Sequence, residues 1–126
     1  MEQKANPVVY FEIPVNDINR AIRFYNTVFG FAFEKEQIDG NAMAHFPFED
    51  SIRGISGSLA KGDSYIPSTR GVLLYFYTAS IEETVKKAIE NGAALVYPIT
   101  ENKDLGFAIA EIQDSEGNRI GLHQKL

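Results

Sequence analysis

The order of predicted secondary structure repeats once along this chain of 126 residues, and the repeat restricts the fold more than any other feature. Residues 8–15 alternate between two faces as a strand does, and residues 17–29 place apolar side chains at helical spacing. Turn signals at Asp39-Gly40 and Glu49-Asp50 then divide three short apolar segments, at 31–37, 41–48 and 54–60. The first half therefore predicts a strand, a helix and three strands.

The second half gives the same order of elements. Residues 71–78 predict a strand, and Ser80 with Glu83 forms a capping box at the start of a helix that ends at Asn91-Gly92. Three strands are predicted after it, near 93–100, 106–113 and 118–124. A shift of 63 residues places Asp17 on Ser80, so two βαβββ modules are the simplest interpretation.

The repeat predicts an α+β fold in a single domain that covers residues 1–126. The modules are expected at about 7–60 and 71–126, joined by the linker 61–70, which is rich in Gly, Ser and Pro. A module of about 60 residues buries only a modest share of its surface when it folds alone. The two modules are therefore predicted to fold together.

Composition excludes several classes of function. Twelve Lys and Arg against seventeen Asp and Glu give a net charge of -5, which is the wrong sign for a nucleic-acid binder. The absence of cysteine rules out disulfides and thiolate chemistry. The longest mainly apolar run, residues 71–79, is far shorter than the ~20 residues that cross a bilayer. With no recognisable secretion signal, the predicted location is the cytoplasm, away from membranes.

Two strings carry a resemblance to a known family. EIPVNDINRAIRFYNTVFGF, residues 12–31, resembles the opening of a module of the vicinal oxygen chelate superfamily, and DSEGNRIGLHQ, residues 114–124, is similar to its ending. This superfamily includes glyoxalase I, bleomycin-resistance proteins and extradiol dioxygenases. The resemblance implies a glyoxalase-like fold, in which paired modules form a curved mixed sheet around an open cup that holds a ligand or a metal. It also implies a homodimer.

The same resemblance identifies the positions at which metal-dependent members carry their ligands. They correspond to Tyr10, Leu73 and Gly121, and to a fourth position at or next to Gly57. A transition metal needs three or four nitrogen or oxygen donors within about 2 Å. These side chains supply at most one weak oxygen donor, so no cofactor is predicted and a divalent metal is disfavoured.

Candidate site residues follow from the faces of the predicted strands. Glu12 and His45 are candidate catalytic residues, Glu12 because a carboxylate that faces a cup needs a partner, and His45 because histidine is a common general acid or base. Each also has an ordinary alternative, a solvated edge position for Glu12 and a packed or rim histidine for His45. The candidate ligand-binding residues are Tyr10, Glu12, Tyr75, Tyr77, Phe107 and His123.

Three functions remain open from the sequence. The first is a metal-free protein that binds a small, partly aromatic molecule in an aromatic-lined cup. The alternative is an enzyme of the superfamily, of lyase, isomerase or dioxygenase type, which uses Glu12, His45 or a tyrosine as its acid–base group or a metal on ligands aligned differently. The third is a structural or regulatory subunit.

Overall fold

The computed structural model describes residues 5–126. Over this part of the chain, two helices and eight strands follow one another in the predicted order. They are β1 (Phe11–Pro14), α1 (Ile18–Phe29), β2 (Glu34–Ile38), β3 (Asn41–His45), β4 (Gly57–Lys61), β5 (Tyr75–Tyr77), α2 (Ile81–Glu90), β6 (Ala94–Asn102), β7 (Phe107–Gln113) and β8 (Arg119–Lys125). We call β1–β4 with α1 the first unit and β5–β8 with α2 the second.

Local sequence accounts for both helices. The side chain of Asp17 accepts a hydrogen bond from the backbone N–H of Arg20 at 3.0 Å, and Ser80 caps α2 in the same way. Gly30 ends α1 in the left-handed region at φ 80°, a conformation that glycine adopts without strain. Neither helix in the described residues has the length and apolar character to span a bilayer.

Each unit forms its own four-stranded mixed sheet. The strand orders are β1-β4-β3-β2 and β5-β8-β7-β6. The first strand of each unit pairs in parallel with the last strand, and the other neighbours are antiparallel. The glyoxalase-like α+β fold predicted from the sequence is therefore confirmed. β1 and β5 stand at the ends of their sheets, each with one hydrogen-bonded neighbour.

The core is shared between the two units. Phe76 of the second unit packs against rings of the first, with centroid distances of 5.9 Å to Tyr25, 5.7 Å to Phe46 and 6.1 Å to Phe11. The buried side chains of α1 and α2 join the same cluster. Because neither unit could remove these rings from water alone, the contact between units stabilises both.

The turn between β7 and β8 fastens the second unit to the start of α1. Asp114 accepts a hydrogen bond from the buried Tyr25 hydroxyl at 2.6 Å, and Asn118 donates to the carbonyl oxygen of Pro14 at 2.7 Å. Glu116 accepts from Nε of Arg20 at 2.7 Å and from the backbone N–H of Asp17 at 2.8 Å. The string that resembled a family ending is therefore the polar joint between the units.

The pKa values of the two carboxyl groups at this joint, Asp114 and Glu116, are shifted in opposite directions. Burial raises the pKa of Asp114 above its ordinary value, although hydrogen bonds from Tyr25 and the backbone oppose the increase. Burial also acts to raise the pKa of Glu116, but hydrogen bonds from Arg20 and from backbone N–H groups outweigh it and hold the pKa below the ordinary value. Glu116 therefore stabilises the fold in its ionised form.

We expect Glu116→Gln to lower the free energy of unfolding by about 2 kcal/mol at pH 7. The NH₂ group of the new amide would face N–H donors that the carboxylate of Glu116 now accepts from. A depressed pKa contributes stability above the unfolded value, and that contribution is lost as pH falls through the folded-state value. The deficit of the variant should therefore shrink below pH 4.5, the ordinary value for Glu116. Urea unfolding of both proteins at several pH values measures it. A deficit that is constant across that range would contradict this interpretation.

Two details differ from the sequence predictions. The strands expected at 8–15 and 71–78 are only Phe11–Pro14 and Tyr75–Tyr77, because each pairs along one edge with a short stretch of its partner strand. The apolar spacing of Ile81, Val85, Ala88 and Ile89 predicts a buried stripe on α2, but Ile89 is 49% exposed. Strand ends depend on pairing across the chain, which the local sequence does not contain.

Candidate functional site

The registers of the sheets decide which side chains lie on the faces turned away from the helices, here called the open faces. Glu12 pairs with Ser58, and Tyr75 pairs with Gly121. A shift of 63 residues converts the first pair into the second. The residue of the first unit that corresponds to Gly121 is therefore Ser58, whereas Gly57 points to the helix side with Phe11.

Polar side chains on the open face of the first sheet form one hydrogen-bonded chain, here called the open-face network. His45 lies at its centre, with Nδ1 at 2.6 Å from Oγ of Ser58 and Nε2 at 2.6 Å from a carboxylate oxygen of Glu36. The Tyr10 hydroxyl donates to Ser58 at 2.9 Å and lies 3.2 Å from Glu12. The structure thus brings together three predicted residues, Tyr10, Glu12 and His45. Ser58 lies between Tyr10 and His45, and Glu36 lies beside His45.

The connection between the units adds one more member to this network. Tyr65, which lies between β4 and β5, donates its hydroxyl hydrogen to Glu12 at 2.7 Å. That hydrogen bond, with smaller effects from burial and from the negative charge, raises the pKa of Tyr65. Since the phenol keeps its proton, it holds the Glu12 carboxylate in place beside Tyr10.

The open face of the second sheet is more aromatic. Tyr75 lies over Gly121, where an added Cβ would stand 2.6 Å from the tyrosine ring. Phe107 and His123 stack with centroids 5.2 Å apart. On the opposite face, Leu74 and Phe76 pack against the core, because successive side chains of a strand point to opposite faces. Tyr77 is 73% exposed and therefore available to a ligand.

A cavity of about 460 Å³, here called the aromatic cavity, opens along the edge of β5. Six aromatic residues from both units line it, together with the segment that follows Phe46. Among residues 5–126, Arg53 is the one charged residue of this lining. Its side chain forms no ion pair with another residue in the part of the chain that the structure describes. The aromatic lining residues are Phe11, Phe31, Phe46, Tyr75, Phe76 and Tyr77.

A second cavity of about 290 Å³, here called the linker cavity, lies beside β1 and the connection between the units. Glu12 lines it, whereas Tyr75 and Tyr77 line the aromatic cavity. Phe11 and Leu74 line both and so separate the two spaces. The predicted ligand-binding residues therefore fall into two neighbouring groups, while Phe107 and His123 contact each other on the second sheet.

The positions at which the family resemblance implies metal ligands carry unsuitable side chains here. They are Tyr10, Ser58, Leu73 and Gly121, and the Leu and Gly side chains have no donor atom. The oxygens of Tyr10 and Ser58 are hydrogen-bonded to each other and to their neighbours. Among the residues that the structure describes, no group of three His, Asp or Glu side chains is suited to hold an ion. This donor set does not fit a transition metal.

Sequence reasoning missed several residues of the site. Ser58, Glu36 and Tyr65 belong to the open-face network but stand nine or more positions from their partners, and Arg53 reaches the aromatic cavity from a segment without regular structure. Two signals were present. Ser58 lies in the predicted strand that follows the strand of His45 along the chain, and Glu36 lies across the Asp39-Gly40 turn from the same histidine.

Paired βαβββ units with mixed sheets and helices on one side define the class of glyoxalase-like folds. Residues 8–122 match the family described as the Glyoxalase/Bleomycin resistance protein/Dioxygenase superfamily. The chain belongs to this superfamily. No curated protein gives a significant sequence match.

Solved structures agree with this assignment at the level of the fold. A glyoxalase family protein from Bacillus cereus is 19% identical with a TM-score of 0.76, over 99% of this chain and 97% of the other. A glyoxalase/bleomycin resistance protein/dioxygenase family enzyme from Burkholderia phytofirmans is 21% identical with a TM-score of 0.73, over 93% and 97%.

A glyoxalase I variant from Zea mays is 16% identical with a TM-score of 0.67. The match covers 94% of this chain but only 46% of the maize protein, so the chain spans about half the length of that relative. At these identities the likeness concerns the fold.

Proposed function

We propose that the protein binds a small, planar, partly aromatic molecule in the aromatic cavity and that binding does not require a metal ion. The observation that carries the proposal is a space of about 460 Å³ lined by six aromatic rings from both units. Ligand pockets are typically about 300–1,000 Å³ and mainly apolar, with a few polar groups that fix orientation. Offset and edge-to-face contacts with such rings favour a flat ligand.

Arg53 supports a more specific choice of ligand. Its guanidinium stands at the wall of an otherwise uncharged lining. A carboxylate on the ligand could form a charge-assisted, bidentate pair with it, which a neutral group could not. The proposed ligand is therefore an aromatic carboxylate or a molecule of similar chemistry.

Calorimetric titration with 2-naphthoate and with its neutral analogue 2-naphthamide, both in EDTA, tests this proposal. We expect the carboxylate to bind about fivefold more tightly, which corresponds to about 1 kcal/mol from a half-exposed ion pair. Arg53→Gln should remove that difference. Tyr77→Ala should weaken both ligands by about fivefold, because it removes an aromatic wall of the cavity.

The control is Tyr97→Ala, since Tyr97 is a partly exposed tyrosine of β6 outside the cavity lining. It should leave both affinities unchanged. Equal affinities of the wild type and Tyr77→Ala would place binding elsewhere. Binding that appears only when a divalent metal replaces EDTA would reject the metal-free part of the proposal.

The proposal includes a homodimer, as the family resemblance implies. Large apolar side chains are exposed in the segments before β1 and before β5, among them Val9, Ile66 and Val72. Contiguous exposed apolar surface commonly marks a site of association. A second copy of the chain that covers these residues would remove them from water.

A further inference from the structure

We propose that the open-face network is a proton relay that makes Tyr10 the acid–base group of a second site, one that accepts a proton from a weakly acidic ligand that is not an anion. The proposal is independent of binding in the aromatic cavity. It rests on an unbroken series of contacts from Tyr10 through Ser58 and His45 to Glu36, each between 2.6 and 2.9 Å.

The positions of the hydrogens in this series follow from the partners. Glu36 can only accept when it is ionised, so Nε2 of His45 carries a hydrogen and Nδ1 is left as an acceptor. Ser58 then donates to Nδ1 and accepts from Tyr10. Tyr10 has one hydrogen, and Ser58 at 2.9 Å is nearer to it than Glu12 at 3.2 Å. Tyr10, Ser58 and His45 therefore donate their hydrogens in the same direction, and Glu36 accepts the last of them.

Burial separates the roles of these groups. Ser58 has no exposed surface, so it can pass a proton but cannot touch a ligand. Tyr10 is 49% exposed and forms the end of the series that a ligand can reach. Ser58, His45 and Glu36 are positioning residues, and Tyr10 is the acid–base group.

The proton transfer balances without any other reactant. The proton of the ligand moves to the Tyr10 oxygen as the phenolic proton of Tyr10 moves to Ser58. The former hydroxyl hydrogen of Ser58 moves to Nδ1 of His45, and the imidazolium that forms is stabilised by the carboxylate of Glu36. Nothing is oxidised or reduced, and reversal of the same steps returns the proton.

Charge on this face indicates the class of ligand. The side chains of Glu12 and Glu36 lie on it, and Glu34 is paired directly with His45 in the register of β2 and β3. Three carboxylates repel anions, in contrast to Arg53 at the aromatic cavity. The ligand of the relay is therefore a molecule that is not an anion and that carries an ionisable O–H, N–H or activated C–H group.

Labelling with N-acetylimidazole tests the relay without knowledge of the substrate. The phenol oxygen attacks the acetyl carbonyl, imidazole leaves, and the phenolic proton must be taken up. Tyr75 is an internal control, because it is 48% exposed against 49% for Tyr10 and is not part of the network. Mass spectrometry of peptides should show that Tyr10 is acetylated about tenfold faster than Tyr75. This factor is smaller than the rate enhancement that a positioned general base usually provides.

The variants separate the relay from simple accessibility. His45→Gln and Ser58→Ala should each bring the Tyr10 to Tyr75 rate ratio close to one, whereas Glu82→Gln, on the exposed face of α2, should leave it unchanged. A wild-type ratio near one, or a ratio that His45→Gln does not lower, would overturn the proposal. His45 is partly exposed, so its variant keeps the test valid if Ser58→Ala folds poorly.

Nitrogen NMR gives a second, independent readout. The chain has two histidines, so their ring signals can be assigned with one variant. His45 should carry its hydrogen on Nε2 and leave Nδ1 bare, and Tyr10→Phe should shift the Nδ1 signal, because Tyr10 and His45 both form hydrogen bonds with Ser58. A hydrogen on Nδ1 in the neutral ring would reverse the donor order and reject the relay.

Discussion

Asp114→Ala is expected to destabilise the protein by about 3 kcal/mol or more, because it leaves several buried donors without an acceptor. One oxygen of Asp114 accepts from the Tyr25 hydroxyl at 2.6 Å, and the other accepts backbone N–H groups of Glu116 and Asn118 at 2.9 Å. Burial raises the pKa of Tyr25 well above its ordinary value, so the phenol remains a donor at neutral pH. Urea unfolding followed by circular dichroism measures the loss.

Two further variants sharpen this prediction. Tyr25→Phe removes one donor, but Asp114 still accepts hydrogen bonds from Glu116 and Asn118. It should therefore lower the free energy of unfolding by only about 1–2 kcal/mol. Asp104→Ala changes an exposed turn residue and should be within about 0.5 kcal/mol of the wild type. If Asp114→Ala were no worse than Tyr25→Phe, the turn before β8 would not hold the units together in the way described.

Gly57→Ala is expected to be the most disruptive small substitution in the sheets, with a cost of about 3 kcal/mol or more. A Cβ at this position would stand 2.0 Å from the carbonyl oxygen of Phe11. That oxygen belongs to the backbone of β1, and among residues 5–126 the one strand that pairs with β1 is β4. The clash can therefore be relieved only if β1 moves away from its single partner.

Gly121→Ala is the matched control in the second unit. The nearest atoms to its added Cβ, at 2.6 to 2.9 Å, belong to the ring of Tyr75, which is half exposed and can rotate into solvent. We expect a cost of about 1 kcal/mol, near the lower end for overpacking. Both variants are compared by thermal and urea unfolding. Equal stability of the two would indicate that β1 is not confined by β4.

The experiments on the two sites have separate outcomes. Loss of naphthoate binding in Tyr77→Ala concerns the aromatic cavity, and loss of Tyr10 reactivity in His45→Gln concerns the open-face network. Since the two substitutions alter different units of the fold, a protein can keep one property and lose the other. If both properties depended on either residue, the two groups would form a single site.

Local sequence was sufficient for the elements of the fold. Asp17 and Ser80 cap helices within three residues of the groups that they bind, and Gly30 ends α1 through its own backbone conformation. Such signals act between neighbours along the chain, and hydrophobic spacing adds the buried face of each helix. The repeat of these elements, with the family strings at each end, then indicated the superfamily.

Tertiary structure alone decided how the site is assembled. The register of β3 and β4 places Ser58 beside His45. If one strand slipped by one residue against the other, the two side chains would lie on opposite faces of the sheet. Arg53 reaches the aromatic cavity because the segment after Phe46 folds over β5. Both arrangements depend on contacts between residues far apart in sequence. The sequence by itself determined the order and type of the elements, because those depend on neighbours, while packing between the units determined which residues meet.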